Sequence, residues 1–227
     1  MSAIDFGLGI YTAPEAARMI GMQAATLRRW LLGYDHNGVH ERPLWNPQYA
    51  VDDEGLFIGF RDLVEARIVH ALRKERIGLP TIRKCIDRAR EIIGDERPFS
   101  TKDFRTDGRS IFLEITRDLD EVHLIDLRRS QGVFRSIVEP TLKDLDFGKF
   151  GAERWWLLPG KKSIVADPLR SFGRPITFEA GIATSVLADA VVAEGSVEKV
   201  AKLFEVPNSV VRDALAYEQG IHSKKAA

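Results

Sequence analysis

Residues 12–32, TAPEAARMIGMQAATLRRWLL, hold two short helical patterns separated by a glycine. Thr12 and Glu15 stand at the spacing of a capping box, in which a hydroxyl and a carboxylate each satisfy an orphan backbone N–H at a helix start. Ala13 opens that helix, and Pro14 falls in its first turn, where a missing N–H costs little. Ala16, Ala17 and Ile20 form an apolar face at helical spacing, and Gly21 predicts the stop. A second helix is expected from about Ala24 to Leu32, with Leu27, Trp30 and Leu31 turned inward. That arrangement leaves Gln23, Thr26, Arg28 and Arg29 on or near the outer face. Two short helices crossing on a tight turn, the second carrying hydrogen-bond donors, form the geometry that enters a DNA major groove.

Downstream of this pair the chain is rich in turn formers, at Tyr34-Asp35-His36-Asn37-Gly38, Arg42-Pro43 and Asn46-Pro47. Gln48 to Val51 and Leu56 to Ile58 flank the acidic turn Asp52-Asp53-Glu54-Gly55 and predict a small hairpin, the wing of a winged helix. Asp62 to Lys74 reads as a helix with Val64, Ile68, Ala71 and Leu72 along one face. Ile77-Gly78-Leu79-Pro80 interrupts it, and Thr81 is expected to cap a further helix whose stripe is Ile82, Cys85, Ile86, Ala89, Ile92 and Ile93. Its place on that stripe makes Cys85 a core thiol. The first unit is expected to span residues 1–94.

Residues 101–170 have a mixed α/β texture. Phe104 to Ile115 predicts a hairpin turning at Asp107-Gly108, and Val122 to Leu127 predicts a strand. Gly132 to Leu145 predicts a helix, and Arg154 to Leu158 and Ser163 to Ala166 predict strands around Pro159-Gly160. Trp155 and Trp156 must point to opposite faces of their strand. Either one is exposed and marks a partner interface, or the strand is buried on both sides. Residues 171–222 are expected to be helical, in segments Gly181 to Val192, Ser196 to Phe204 and Asn208 to Tyr217, ahead of a short frayed tail. The last two make a second helix-turn-helix by spacing. Lys199, Lys202 and Arg212 are balanced there by Glu198, Glu205 and Asp213, which favours a packing or protein-contact element. The expected class is mainly α with small β elements, α+β.

Hydrophobic content of 44% and charged content of 29% describe an ordinary globular chain of 227 residues. Lys plus Arg equals Asp plus Glu at 33 each, which argues against a broad basic surface but not against a few Arg gathered on one face. One cysteine excludes an internal disulfide and a cysteine-based zinc site, and fits a reducing cytoplasm. No signal peptide and no membrane-spanning apolar run are expected. The five histidines show no HExxH and no metal spacing, and Pro159-Gly160-Lys161-Lys162-Ser163 lacks the upstream glycine of a phosphate loop. Asp144 and Asp146 are read as surface acids. No enzyme, metal or cofactor is expected.

Residues Tyr11 to about Ile86 resemble a MerR-type winged helix-turn-helix. The match rests on Tyr11-Thr12, Glu15-Ala16-Ala17, Thr26-Leu27-Arg28-Arg29-Trp30, Asp62-Leu63 and Gly78-Leu79-Pro80-Thr81-Ile82-Arg83. Residues Phe172 to Glu218 resemble a small bacterial antitoxin domain found beside genes for PIN-type ribonuclease toxins. Here the match rests on Phe172-Gly173-Arg174-Pro175-Ile176, Gly181-Ile182-Ala183-Thr184, Ala193 to Ala201, and Val211 to Leu215 with Glu218. The joint arrangement resembles a VapB-type antitoxin with a MerR-like reader, a subgroup that Phe60 to Glu65 and Arg154-Trp155-Trp156 are also similar to.

The resemblance implies double-stranded DNA of the chain's own promoter and a PIN-type ribonuclease toxin as partners. It also implies a homodimer that sets two recognition helices about 34 Å apart on a palindrome. Arg28 and Arg29 are the first candidates for DNA contact, followed by Gln23 and Thr26. Tyr34, Asn37 and Arg42 are placed to reach the backbone or simply to be solvated. Trp155 and Trp156 are the candidates for partner binding. The sequence departs from the pattern in two places. Leu56-Phe57-Ile58-Gly59 replaces an Arg-x-Tyr-like element before Asp-Leu, next to an acidic turn that repels phosphate. The long disordered antitoxin tail is reduced to a stub, so neutralisation falls to folded surface or to the central segment. The alternative is a stand-alone transcriptional regulator responding to a small molecule or a protein.

Overall fold

The computed structural model describes residues 8–36, 38–49, 51, 55–106, 108 and 138–225. Within them the chain is an α+β protein that begins with a helix-turn-helix. Strand β1 (Tyr11–Thr12) leads into α1 (Ala13–Ile20) through the expected capping box. The Thr12 N–H donates to Glu15 Oε2 at 2.8 Å, and the Glu15 N–H donates to Thr12 Oγ1 at 3.4 Å. Gly21 ends the helix at φ 84°, a left-handed conformation that a side chain would strain. Helix α2 (Ala24–Leu32) buries Leu27, Trp30 and Leu31, as its spacing predicts. Thr12→Ala removes one cap acceptor and is expected to cost about 1 kcal/mol, read as a lower urea midpoint at unchanged m-value.

The hairpin after α2 lies earlier than the sequence reading places it. Strands β2 (Tyr34–His36) and β3 (Val39–Glu41) pair antiparallel across residues 37 and 38, an Asn-Gly pair that suits a tight hairpin turn. Residues 48, 49 and 51 are not in a strand, and β4 (Phe57–Ile58) pairs with β1 instead. The cause is long-range. Gln48 is committed to the start of α3 (Phe60–Lys74), where its Oε1 accepts the Arg61 and Asp62 N–H groups at 2.9 and 3.1 Å. Burial of Tyr11 against Ile58 fixes the β1–β4 pairing.

Helix α3 begins two residues earlier than predicted, and α4 (Leu79–Ile93) starts after Gly78 with Pro80 inside its first turn, so Thr81 is not its cap. Cys85 is buried, and burial pushes its thiol up to about 12. Residues 102–106 are helical, not the first strand of a hairpin. Thr101 Oγ1 accepts the Phe104 N–H at 3.1 Å, and Phe104 packs against Phe99 with ring centroids 4.7 Å apart. The strands expected at 111–115 and 122–127 lie outside the described residues. Residues 132–137 of the helix expected over 132–145 lie outside the described residues; within the remainder α5 (Glu139–Lys143) forms, and Leu145 already begins a strand.

Four antiparallel strands follow: β5 (Leu145–Gly148), β6 (Gly151–Leu158), β7 (Lys161–Ala166) and β8 (Ile176–Thr177), in that order across the sheet. Trp155 and Ala166 join a core that runs back through α3 to Tyr11, while Trp156, Val165 and Ile176 form a separate cluster. Helices α6 (Thr184–Glu194), α7 (Val197–Leu203) and α8 (Asn208–Lys225) close over a third cluster, reaching the sheet through Ile164. Ser196 caps α7 as predicted, and α8 continues past the expected end at Tyr217.

Glu65 sits at the junction of α3 with residues 97–101. It is fully buried, its Oε1 accepts the Ser100 N–H at 2.8 Å, and its Oε2 has no partner. Burial outweighs the nearby Arg61 and Arg97 and raises its carboxyl to about 8. Folded Glu65 therefore keeps its proton between the unfolded value of about 4.5 and about 8, while the unfolded chain gives it up. Stability is lost as pH rises through that window. Glu65→Gln, neutral at every pH, is expected to raise the melting temperature at pH 8 more than at pH 5.

Candidate nucleic-acid interface

Helix α2 presents its second turn to solvent through Arg28 and Arg29, both exposed. Neither forms an ion pair with a described residue, in a chain where most of the neighbouring guanidinium groups are engaged. Gln23 is exposed at the N-cap without a side-chain cap bond, and Thr26 is half-buried in the first turn. The four positions thus share the end and outer side of one helix, as their spacing requires.

The β2–β3 hairpin stands beside the C-terminal end of α2 because Gly33 joins them directly. At Gly33, with φ 75°, an added Cβ would lie 2.4 Å from the Glu41 carbonyl oxygen, so only glycine lets β3 fold back this closely. Arg83 on α4 holds the far side of the hairpin base, donating from Nη1 to the Pro43 carbonyl at 2.7 Å and from Nη2 to the Arg42 carbonyl at 2.8 Å. Desolvation lowers the Arg83 pKa, and the neighbouring Arg42 lowers it further. Tyr34 is half-buried in β2. Arg42 is exposed but bound to Asp87 at 2.5 Å, and Asn37 lies outside the described residues. Val39 and His40 are exposed on β3, where His40 pairs with Asp35. The sequence reading missed this hairpin as an element, although Asn37-Gly38 was the available signal.

Trp155 and Trp156 do point to opposite faces, but both are buried by the chain itself, at 7% and 6% exposure. The Arg67 guanidinium lies 4.4 Å from the Trp155 ring, and Trp156 Nε1 donates to Asp146 Oδ2 at 2.9 Å. The expectation of an exposed tryptophan at a partner interface is corrected: β6 is packed on both sides. Asp144 and Asp146 are likewise structural, Asp144 pairing with Arg67 at 3.4 Å.

In the C-terminal helix pair, Arg212 faces Glu198 at 3.6 Å and Lys161 binds Asp213 at 2.6 Å. Those cations are neutralised within the chain, unlike Arg28 and Arg29. Among the described residues no group of three His, Cys, Asp or Glu is placed to hold a metal ion, and no helix is long and apolar enough to cross a membrane.

Residues 9–86 match a family described as "Putative DNA-binding HTH domain". The match begins just before β1 and ends in α4, so it includes α1, α2, the hairpin and α3. Over 227 residues the chain is 26% identical to "Putative antitoxin VapB45" of Mycobacterium tuberculosis, covering 93% of this chain and 95% of that one. The fold recurs in the crystal structure of Rv2018 from Mycobacterium tuberculosis, with a TM-score of 0.74 at 24% identity over 90% of this chain and 96% of that chain.

Proposed function

We propose that this chain is the antitoxin of a toxin–antitoxin pair, a DNA-binding regulator that represses its own operon and neutralises a PIN-type ribonuclease toxin. The observation that carries the DNA half is the pair of unengaged arginines on the exposed side of α2, within a segment similar to DNA-binding helix-turn-helix domains. Arg suits this role because its fork pairs with guanine O6 and N7 or grips phosphate, and it stays charged at every relevant pH. The α2 face reads the major groove, and the β2–β3 hairpin serves as a MerR-like wing against the adjacent backbone; Tyr34, Asn37 and Arg42 are the candidates for phosphate contact, Arg42 by exchanging its Asp87 carboxylate for a phosphate. As a homodimer the protein spans two half-sites of its promoter.

Similarity to an antitoxin along nearly the whole chain supports the second half. The helical segment 171–222 and the central sheet supply the toxin-binding surface, and the role is that of a cytoplasmic regulator, not an enzyme. Co-expression with the product of the adjacent gene tests this. The expected result is a stable complex on size exclusion in which the toxin's ribonuclease activity is suppressed. Active ribonuclease in the presence of excess chain would defeat the antitoxin reading and leave a stand-alone regulator.

A further inference from the structure

The connection between β7 and β8 contains two successive non-glycine residues in left-handed backbone, Ser171 at φ 49° and Phe172 at φ 56°, followed by Gly173 at φ 84°. Elsewhere among the described residues such positions occur singly, at Arg76 and Glu205. Left-handed backbone is costly for any residue with a Cβ and most unusual for a bulky one. Phe172 recovers little of that cost by burial, since the residue is 57% exposed, and Leu169 in the same turn is 75% exposed.

The turn is nevertheless held firmly. Asp167 is buried; its Oδ1 accepts the Leu169 N–H and its Oδ2 accepts Arg154 Nε, both at 2.9 Å. The Ile10 N–H donates to the Phe172 carbonyl at 3.0 Å, and the Tyr11 hydroxyl donates to the Gly173 carbonyl at 2.8 Å. All of these bonds use backbone or Asp167. None uses the Phe172 ring, and Asn at that position would suit the backbone better. Strain kept without a return inside the chain points outward, to function.

The flanking charges define what meets it. Arg174 is exposed, Arg170 lies with its guanidinium 5.5 Å from the Phe178 ring, and neither forms an ion pair with a described carboxylate. Two copies meeting through this turn would oppose like charges. A different folded polypeptide, with an apolar pocket rimmed by carboxylates, complements it. We infer that the 167–174 turn is the anchor with which this chain grips its protein partner: Phe172 and Leu169 fill the apolar pocket, and Arg170 and Arg174 meet its acidic rim. The inference rests on the antitoxin reading above and names the surface that reading requires.

The test measures binding of the full chain to the product of the adjacent gene, together with melting temperature and affinity for the promoter fragment. Phe172→Asn is expected to weaken the complex about 30-fold or more, the scale of an interface hot spot, while raising the melting temperature and leaving DNA affinity unchanged. Leu169→Ser and Arg174→Glu are expected to weaken the complex too, Arg174→Glu with a flatter salt dependence. A complex of unchanged affinity in all three variants overturns the inference alone. A lower melting temperature for Phe172→Asn also overturns it, because the ring would then belong to the fold. Lost DNA affinity with the complex retained makes the turn a nucleic-acid element, which is a third overturning result. A wild-type chain that forms no complex overturns the antitoxin reading and this assignment with it.

Discussion

A chain carrying Arg28→Ala and Arg29→Ala is expected to lose promoter binding by at least about 30-fold while melting within a degree or two of the parent. Each guanidinium contributes roughly 1–3 kcal/mol if it reads a guanine edge, and a phosphate contact adds about one unit to the salt slope. Both side chains are exposed and unpaired on α2, so their removal opens no cavity and strands no buried partner. Fluorescence anisotropy over a salt series checks the claim. The expected signature is a weaker, flatter line of log affinity against log salt, with the slope reduced by about two if both arginines contact phosphate. Unchanged affinity and unchanged slope would remove α2 as the reader. Toxin binding by the same variant is expected to persist.

Asp62→Ala is expected to be the most damaging single change to the fold, costing about 3–5 kcal/mol. Asp62 is fully buried in the first turn of α3. Its carboxylate accepts Trp45 Nε1 at 3.0 Å, the Gln48 N–H at 2.7 Å, the Gly59 N–H at 3.2 Å and Arg97 Nε at 2.6 Å. Removing it strands four donors, one of them a guanidinium largely withdrawn from water. A chain of this size is expected to melt roughly 10 °C lower, read by calorimetry. Asp62→Asn keeps the shape but loses the charge opposite Arg97, and is expected to fall between the two. An exposed control such as Asp35→Ala is expected to move the midpoint little.

The helix-turn-helix was legible in the chain because everything that makes it is local. A cap three residues from its partner, a glycine at the stop and apolar residues at helical spacing need no distant neighbour to act, and α1, α2, α7 and the two central strands of the sheet, β6 and β7, follow from such local signals. The exposed face of α2 was legible for the same reason. The β2–β3 hairpin was not, because its location depended on a competition. Gln48 is spent on the start of α3 and Ile58 on Tyr11, and the hairpin forms instead between β2 and β3. Phe104 was misread as a strand residue because Phe99 and Thr101 decide its conformation from the preceding turn.

The sequence by itself determined where two helices start and stop and that two arginines share the solvent side of the second. Helical periodicity and capping act within a few residues, so they are written in the order of the letters. Only the tertiary structure decided that both adjacent tryptophans are packed within the chain, that Glu65 keeps a proton with its Oε2 unpartnered, and that Phe172 stands in solvent on strained backbone. Each of those outcomes depends on which distant groups close over a side chain or bond its neighbours, and burial of that kind has no local signature.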